Sequence, residues 1–267
     1  MKPVPIFDPQ AQGRAMRVAA FMSGSGTNVI RLLEREKELE NEPGGSPFKI
    51  IFIFSDRSDG LSAGERIALD AGIPYFSYDI RQFYRRKGLK KTIATPEGIA
   101  ARKEFDSVAS LLIKSFKIDI IALAGYMSYL TLSRCVNVHP GDLSILTSNG
   151  KRKYVGDHAV TDAIASGETF LRASTIWTDA GVDTGPLLIV SSPLKVELPL
   201  PLPGLLKDQP AFKKVVDKHQ RRLKEIGDWK IFPLTVEMIA KGRFALDENN
   251  IIYVDGKPQP KGYRFDQ

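Results

Sequence analysis

Cysteine is almost absent from this chain: its 267 residues include Cys135 alone, which excludes an internal disulfide framework and a zinc site built on cysteine. Histidine is scarce as well. With only His139, His158 and His219, a metal centre would need carboxylates to complete it, and no metal is expected. No run of about eighteen apolar residues occurs, so nothing is expected to span a membrane. The opening Met1-Lys2-Pro3-Val4-Pro5-Ile6-Phe7-Asp8 has prolines and an acid where a secretory signal has an apolar core, and a cytoplasmic location is the default expectation. The glycine-rich turn at residues 23–28 lacks the Gly-Lys-Ser/Thr of a nucleotide triphosphatase and the Gly-x-Gly-x-x-Gly of a dinucleotide binder.

What is present is an ordinary globular composition, 43% hydrophobic and 26% charged, long enough to bury a sizeable core. A net charge of +7 and a pI near 9.3 favour anionic ligands. The cations gather in residues 81–91, 151–153 and 213–224 with no nucleic-acid motif beside them. Solvated faces that serve a small anion are therefore expected in place of a nucleic-acid groove. Cys135 reads as a small buried hydrophobe, with a thiol nucleophile left open.

Residues 1–15 carry three prolines and read as an extended arm, with residues 16–267 as one domain. Short apolar runs at 17–22, 48–54, 73–77 and 118–124 alternate with segments of helical spacing, one of them opened by Thr95-Pro96, a cap followed by a first-turn proline. That alternation predicts an α/β fold, a doubly wound, mostly parallel sheet with helices on both faces. Residues 212–225 and 228–241 are expected as helices and 242–263 as short terminal strands.

Ligands of such sheets bind at the carboxyl ends of the strands, and two stretches stand there. Ser23-Gly24-Ser25-Gly26-Thr27-Asn28 joins a strand to a helix. Its glycines let the backbone approach a ligand closely and the helix start favours a phosphate, although a plain βα turn would look the same. Asn137-Val138-His139-Pro140 ends another strand, where residues i and i+2 face one side. An amide donor beside a proton-carrying ring suits oxyanion stabilisation and proton movement in acyl transfer. The plainer reading is a capping Asn and a half-buried His. His158 in Gly156-Asp157-His158, and Asp183 in Gly181-Val182-Asp183-Thr184-Gly185-Pro186, add a second imidazole and an acceptor carboxylate.

Taken in this order, Asn137-Val138-His139-Pro140, Gly156-Asp157-His158 and Val182-Asp183-Thr184-Gly185-Pro186 resemble the motifs of the folate-dependent formyltransferase family, the likeness running over most of residues 16–267. The resemblance implies a Rossmann-like formyltransferase fold and transfer of a formyl group from 10-formyltetrahydrofolate to a primary amine, with phosphoribosylglycinamide of purine biosynthesis as the implied acceptor. It implies Asn137, His139 and Asp183 as catalytic residues. It further implies that Gly24, Ser25, Gly26, Thr27 and Asn28 hold the substrate's phosphate, that His158 lies on the substrate side, and that Tyr126, Met127, Ser128 and Leu130 border the pteridine of the folate. Two places depart from the family's pattern. Ser128 stands where an arginine is usual, and residues 148–154 look like an insertion that brings Lys151, Arg152 and Lys153 between the two histidine motifs. Those cations read as a solvated loop tip, or as a flexible lid over the substrate phosphate or folate tail.

The expected partners are a small anionic amine and folate, with neither nucleic acid nor membrane, and a homodimer is left open. A tRNA-formylating member would need a further C-terminal domain and a formyltetrahydrofolate deformylase an N-terminal one, for which little room is expected. A sugar or other amine N-formyltransferase, a deformylase and an inactive folate-binding homologue stay as alternatives.

Overall fold

The computed structural model describes residues 2–266. Contacts gather the chain into two compact units: Phe7–Asn137 with Ile239–Gly242 in one, and the rest of the described chain in the other.

In the first unit the predicted alternation is observed. It comprises β1 (Met16–Met22), α1 (Thr27–Glu40), β2 (Phe48–Ser55), α2 (Gly64–Ala71), β3 (Tyr75–Ser77), α3 (Ile80–Arg86), α4 (Pro96–Ser115), β4 (Ile120–Leu123) and β5 (Cys135–His139), the final two residues of β5 belonging to the second unit. The strands lie in the order β3-β2-β1-β4-β5, and every pairing is parallel. β1 is buried along almost its whole length, as a strand covered on both faces must be. Phe21, Phe52 and Phe54 pack with Ala109 of α4 and with Tyr126 in one apolar cluster, the Phe21 and Phe54 ring centroids 4.8 Å apart. Each such ring contributes about 2 kcal/mol by leaving water. α4 begins where Thr95-Pro96 predicts, with Thr95 Oγ1 accepting the Gly98 N–H at 3.1 Å. Strand register sets the functional ends abreast: Phe21 pairs with Leu123, and Leu123 with Asn137. The loops leaving β1 and β4 and Asn137 of β5 thus share one edge of the sheet, the edge where parallel sheets bind ligands.

The second unit holds α5 (Ala159–Ala165), β6 (Ser174–Trp177), β7 (Leu187–Val190), α6 (Gln209–Leu223), α7 (Trp229–Ala240, its last two residues belonging to the first unit), β8 (Phe244–Leu246), β9 (Ile252–Val254) and β10 (Tyr263–Arg264). β6 and β7 run antiparallel, β10 joins β7 in parallel, and β8 pairs antiparallel with β9. Both expected helices near the C-terminus are present. Between them Lys224–Asp228 forms a π turn, where Gly227 runs so close to Ala173 that an added Cβ would lie 2.9 Å from that residue's own. Asp228 is buried there and its Oδ1 has no partner among the described residues. Burial pushes its carboxyl up to about 7 against the opposing charge of Lys224.

The extended-arm reading of residues 1–15 needs correction. Val4–Pro5 pairs with β8, and Pro9–Gln12 is a short helix whose Asp8 Oδ1 accepts from the Gln10 and Ala11 N–H groups at 3.0 and 3.1 Å. Aspartate before proline is a helix-start signal, and counting prolines alone passes over it. No helix of the described residues is long and apolar enough to cross a membrane.

Candidate active site

β5 carries Asn137 and His139 at alternate positions, so both side chains leave the same side of the strand. The His139 ring is buried, and each nitrogen meets an acceptor: Nε2 lies 2.9 Å from the Tyr154 carbonyl oxygen and Nδ1 3.4 Å from Asp183 Oδ2. A ring that serves both acceptors donates from both nitrogens, whereas a ring with one proton serves one of them. Gly141 makes room for this arrangement, because a Cβ there would stand 2.8 Å from His139 Nε2 and 3.0 Å from the Tyr154 oxygen. The Asn137 carboxamide is half-buried and has no hydrogen-bond partner among the described residues.

Asp183 sits at φ +54°, in the left-handed region that residues with a Cβ seldom take. Asp179 shapes this turn, its Oδ1 accepting from the Gly181 N–H at 2.9 Å and the Thr184 hydroxyl at 2.6 Å. Gly185 is obligatory in the turn, since a Cβ would lie 2.0 Å from the Trp177 carbonyl oxygen. The Asp183 carboxylate accepts the Gly156 N–H at 2.8 Å, and the Arg152 guanidinium donates to the carbonyl oxygens of Asp183 and, at 2.7 Å, of Gly185. A left-handed aspartate costs about 1 kcal/mol, which these bonds offset.

In the first unit, the glycines of the loop after β1 do different work. Gly26 caps α1 at φ +66°, and a Cβ there would lie 2.4 Å from Ile67 and 2.8 Å from Met22, so packing and turn geometry already require a glycine there. Gly24 faces open space. α1 has no side-chain cap and no acid in its first turn, which leaves its leading N–H groups to an anion. Asn28 Oδ1 is buried without a partner among the described residues. Ser23 ties this loop to the one after β4: its N–H donates to the Gly125 oxygen at 3.1 Å, and its Oγ accepts the Met127 N–H at 2.9 Å.

The four residues of the implied pteridine border divide. Met127 is 66% exposed, Tyr126 and Leu130 pack in the apolar core, and Ser128 is buried. Ser128 donates from Oγ to Asp56 Oδ2 at 2.5 Å and accepts from Lys91 Nζ at 3.3 Å, while Asp56 Oδ1 is buried without a partner among the described residues. Beneath lies a buried Arg102–Asp106 ion pair, with Arg102 also donating to the Tyr126 hydroxyl oxygen at 2.9 Å.

Residues 16–196, more than half of the chain, match the formyl transferase family. The chain belongs to that family. This formyltransferase is 25% identical over 255 residues to the phosphoribosylglycinamide formyltransferase of Haemophilus influenzae, covering 92% of this chain and 98% of that one. It is 27% identical over 245 residues to the human trifunctional purine biosynthetic protein adenosine-3, covering 88% of this chain but 19% of that much longer protein. The solved phosphoribosylglycinamide formyltransferase of Coxiella burnetii is similar at a TM-score of 0.65 and 23% identity, over 94% of this chain and 100% of that one, a likeness of fold. The mostly parallel α/β fold expected from the sequence is the fold found.

Three further placements bear on this formyltransferase's site. His158 is exposed at the start of α5, makes no capping bond and is not among the hydrogen-bond partners of Asp183. Cys135 is buried, its Sγ 3.4 Å from the Leu132 carbonyl oxygen, as a small core residue would be. Among the described residues no group of three or more His, Cys, Asp or Glu is disposed to hold a metal ion. Sequence reasoning missed Asp56, although its place just past the end of β2 was a usable signal. Nothing in the sequence pointed to Tyr154, whose contribution to His139 is a backbone oxygen.

Proposed function

We propose that this formyltransferase transfers the formyl group of 10-formyltetrahydrofolate to the amine of phosphoribosylglycinamide. The observation that carries the reading is the buried His139–Asp183 pair, Nδ1 to Oδ2 at 3.4 Å, its histidine on the strand that also holds Asn137. The acceptor is suggested by the relative from Haemophilus influenzae that bears that name and is matched over nearly its full length.

The amine nitrogen attacks the formyl carbon, giving a tetrahedral centre with a negative oxygen and a positive nitrogen. Asn137, whose carboxamide lacks a partner among the described residues, donates to that oxygen. His139 joins it when Nε2 exchanges the Tyr154 carbonyl for the substrate oxygen. A preorganised donor of this kind is worth about 10²–10³ in rate. Asp183 accepts from Nδ1, keeps the ring in place and takes up the amine proton through water, after which the bond from the formyl carbon to the folate nitrogen breaks and that nitrogen is protonated. Gly24, Ser25, Gly26, Thr27 and Asn28 hold the phosphate at the start of α1, where helix dipole and N–H groups favour an anion. On the folate side, exposed Met127 offers apolar contact and the unpartnered Asp56 oxygen fits a pterin N–H donor.

The test is to incubate the protein with 10-formyltetrahydrofolate and follow tetrahydrofolate release with and without phosphoribosylglycinamide. Release that depends on this amine supports the reading. Release without any acceptor would make the protein a deformylase, and folate binding with no release would make it an inactive homologue.

A further inference from the structure

Within residues 148–154 the turn at 148–151 is exposed, as a solvated loop tip would be, but Arg152 and Tyr154 are not. The chain doubles back on itself here: the Thr147 N–H donates to the Lys151 oxygen at 2.7 Å, the Lys153 N–H donates to the Ile145 oxygen at 3.0 Å, and Leu146 and Arg152 form an antiparallel bridge. Along an extended segment, neighbouring side chains face opposite ways. Lys151 and Lys153 accordingly turn outward, Lys153 towards Glu168 at 3.3 Å, while Arg152 turns inward. Its guanidinium donates to two backbone carbonyls of the catalytic turn, those of Asp183 and Gly185. Burial lowers its pKa from the ordinary value and the Asp183 and Asp179 carboxylates oppose that shift, so the charge is taken partly out of water to make these bonds.

The same stretch reaches the pair twice more. The Tyr154 carbonyl accepts from His139 Nε2, and the Gly156 N–H donates to Asp183 Oδ2. Residues 152–156 thus touch the imidazole, the carboxylate and the backbone that carries the carboxylate. We infer that Arg152 is a positioning residue, holding the left-handed Asp183 turn so that its carboxylate meets His139, and that residues 152–156 form a clasp on the catalytic pair. This rests on the roles proposed above for His139 and Asp183. A planar fork spans two carbonyl oxygens on one turn, whereas a lysine ammonium is a single point of charge, so the identity of the residue matters.

The test uses Arg152→Ala and Arg152→Lys in the full chain, with Lys151→Ala as control. A cavity of about 500 Å³ bordered by Arg152, Trp177, Asp179 and Thr184 gives a free guanidinium ion a route to the place that alanine vacates. Expected for Arg152→Ala is a kcat lower by roughly 10-fold or more, the scale of a misplaced catalytic group, with KM nearly unchanged and kcat recovered in millimolar guanidinium. Arg152→Lys should fall between wild type and alanine, and Lys151→Ala should match wild type. The ring resonances of His139, one of three histidines, should shift in Arg152→Ala and return with guanidinium. Wild-type kcat in Arg152→Ala overturns the inference. So does a rise in KM with kcat kept, which would make Arg152 a substrate contact. If wild type itself formylates no amine, the proposed function fails, and the His139 resonances still decide whether Arg152 holds the pair. Should alanine not fold, Arg152→Lys carries the same readouts.

Discussion

Around Gly24 and Asn28 the protein leaves polar capacity unspent: α1 begins without a side-chain cap, Asn28 Oδ1 has no partner among the described residues, and open space faces Gly24. Around His139 and Asp183 the opposite holds, since both imidazole nitrogens and the Asp183 carboxylate already meet protein groups. Buried donors and acceptors are costly to leave unmade, about 1–3 kcal/mol each, so the contrast is informative. Under the proposed function the first region would receive a ligand as it stands. The second holds its own geometry, and under the proposed mechanism it would reach substrate by giving up one internal bond, the one to Tyr154.

The sharpest way to break this contrast is Asp183→Asn, which keeps the shape of the side chain and removes its charge. The kcat of formyl transfer should fall roughly 10²-fold or more, the scale of lost acid–base help, while folate affinity changes little. Steady-state kinetics with a folate-binding measurement decides it, and turnover near the wild-type rate would remove Asp183 from the mechanism.

Asp228 Oδ1, also buried without a partner among the described residues, offers the contrast of an orphan enclosed by packing. Its carboxyl lies raised at about 7, so the folded chain holds that proton more tightly than the unfolded chain does. The stability gained is complete below the ordinary carboxylate range and is lost as pH rises through about 7. Asp228→Asn cannot ionise, so between about pH 5 and 8 it should avoid a loss on the order of 2 kcal/mol that the wild type undergoes. Thermal melting across that range would show parallel curves if the carboxyl were in fact ordinary.

How much of this was legible beforehand differs by kind of contact. The parallel sheet could be read from apolar runs alternating with helical spacing, and Asn137 and His139 from the two-residue period of a strand, because those signals are local. Gly26 was read as a ligand contact; that Ile67 and Met22 also crowd it appears only once distant side chains are in place. Arg152 was grouped with Lys151 and Lys153 as one basic run. Its role depends on carbonyls of residues 183 and 185, and backbone acceptors leave no mark on the sequence that requires them. Ser128 looked like a lost cation, but folding brings Lys91 to within 3.3 Å of its hydroxyl.

Gly141→Ala tests how tightly the second region is held. The new Cβ would lie 2.8 Å from His139 Nε2, so the ring or the Tyr154 carbonyl must move by several tenths of an ångström. A shift of that size should lower kcat about 10-fold and destabilise the fold by about 1 kcal/mol. An unchanged kcat would mean that His139 tolerates displacement and that its saturated hydrogen bonds are not what positions it. Gly24→Val tests the first region. Its Cβ meets nothing, so stability should stay within about 0.5 kcal/mol of wild type, while KM for the phosphorylated amine rises several-fold as the anion is held off the backbone. Gly26→Val is a poor substitute, because the crowding at that position would confound affinity with folding.

The smallest effect is expected where the sequence shows most charge. Lys151 and Lys153 lie on the outward face of the doubled-back segment, and Lys153 is paired with Glu168 at the surface. Exposed charges of this kind contribute below about 1 kcal/mol each and are screened by salt. Replacing both by alanine should therefore leave kcat within about twofold and raise KM for the anionic amine no more than about twofold, at low ionic strength only. Kinetics at low and physiological salt make the measurement. A tenfold loss of kcat in this double variant would spread the positioning role over the whole basic run. A KM that climbs steeply at low salt would instead restore these lysines as contacts to the substrate's phosphate and assign the outward face of the segment to ligand capture.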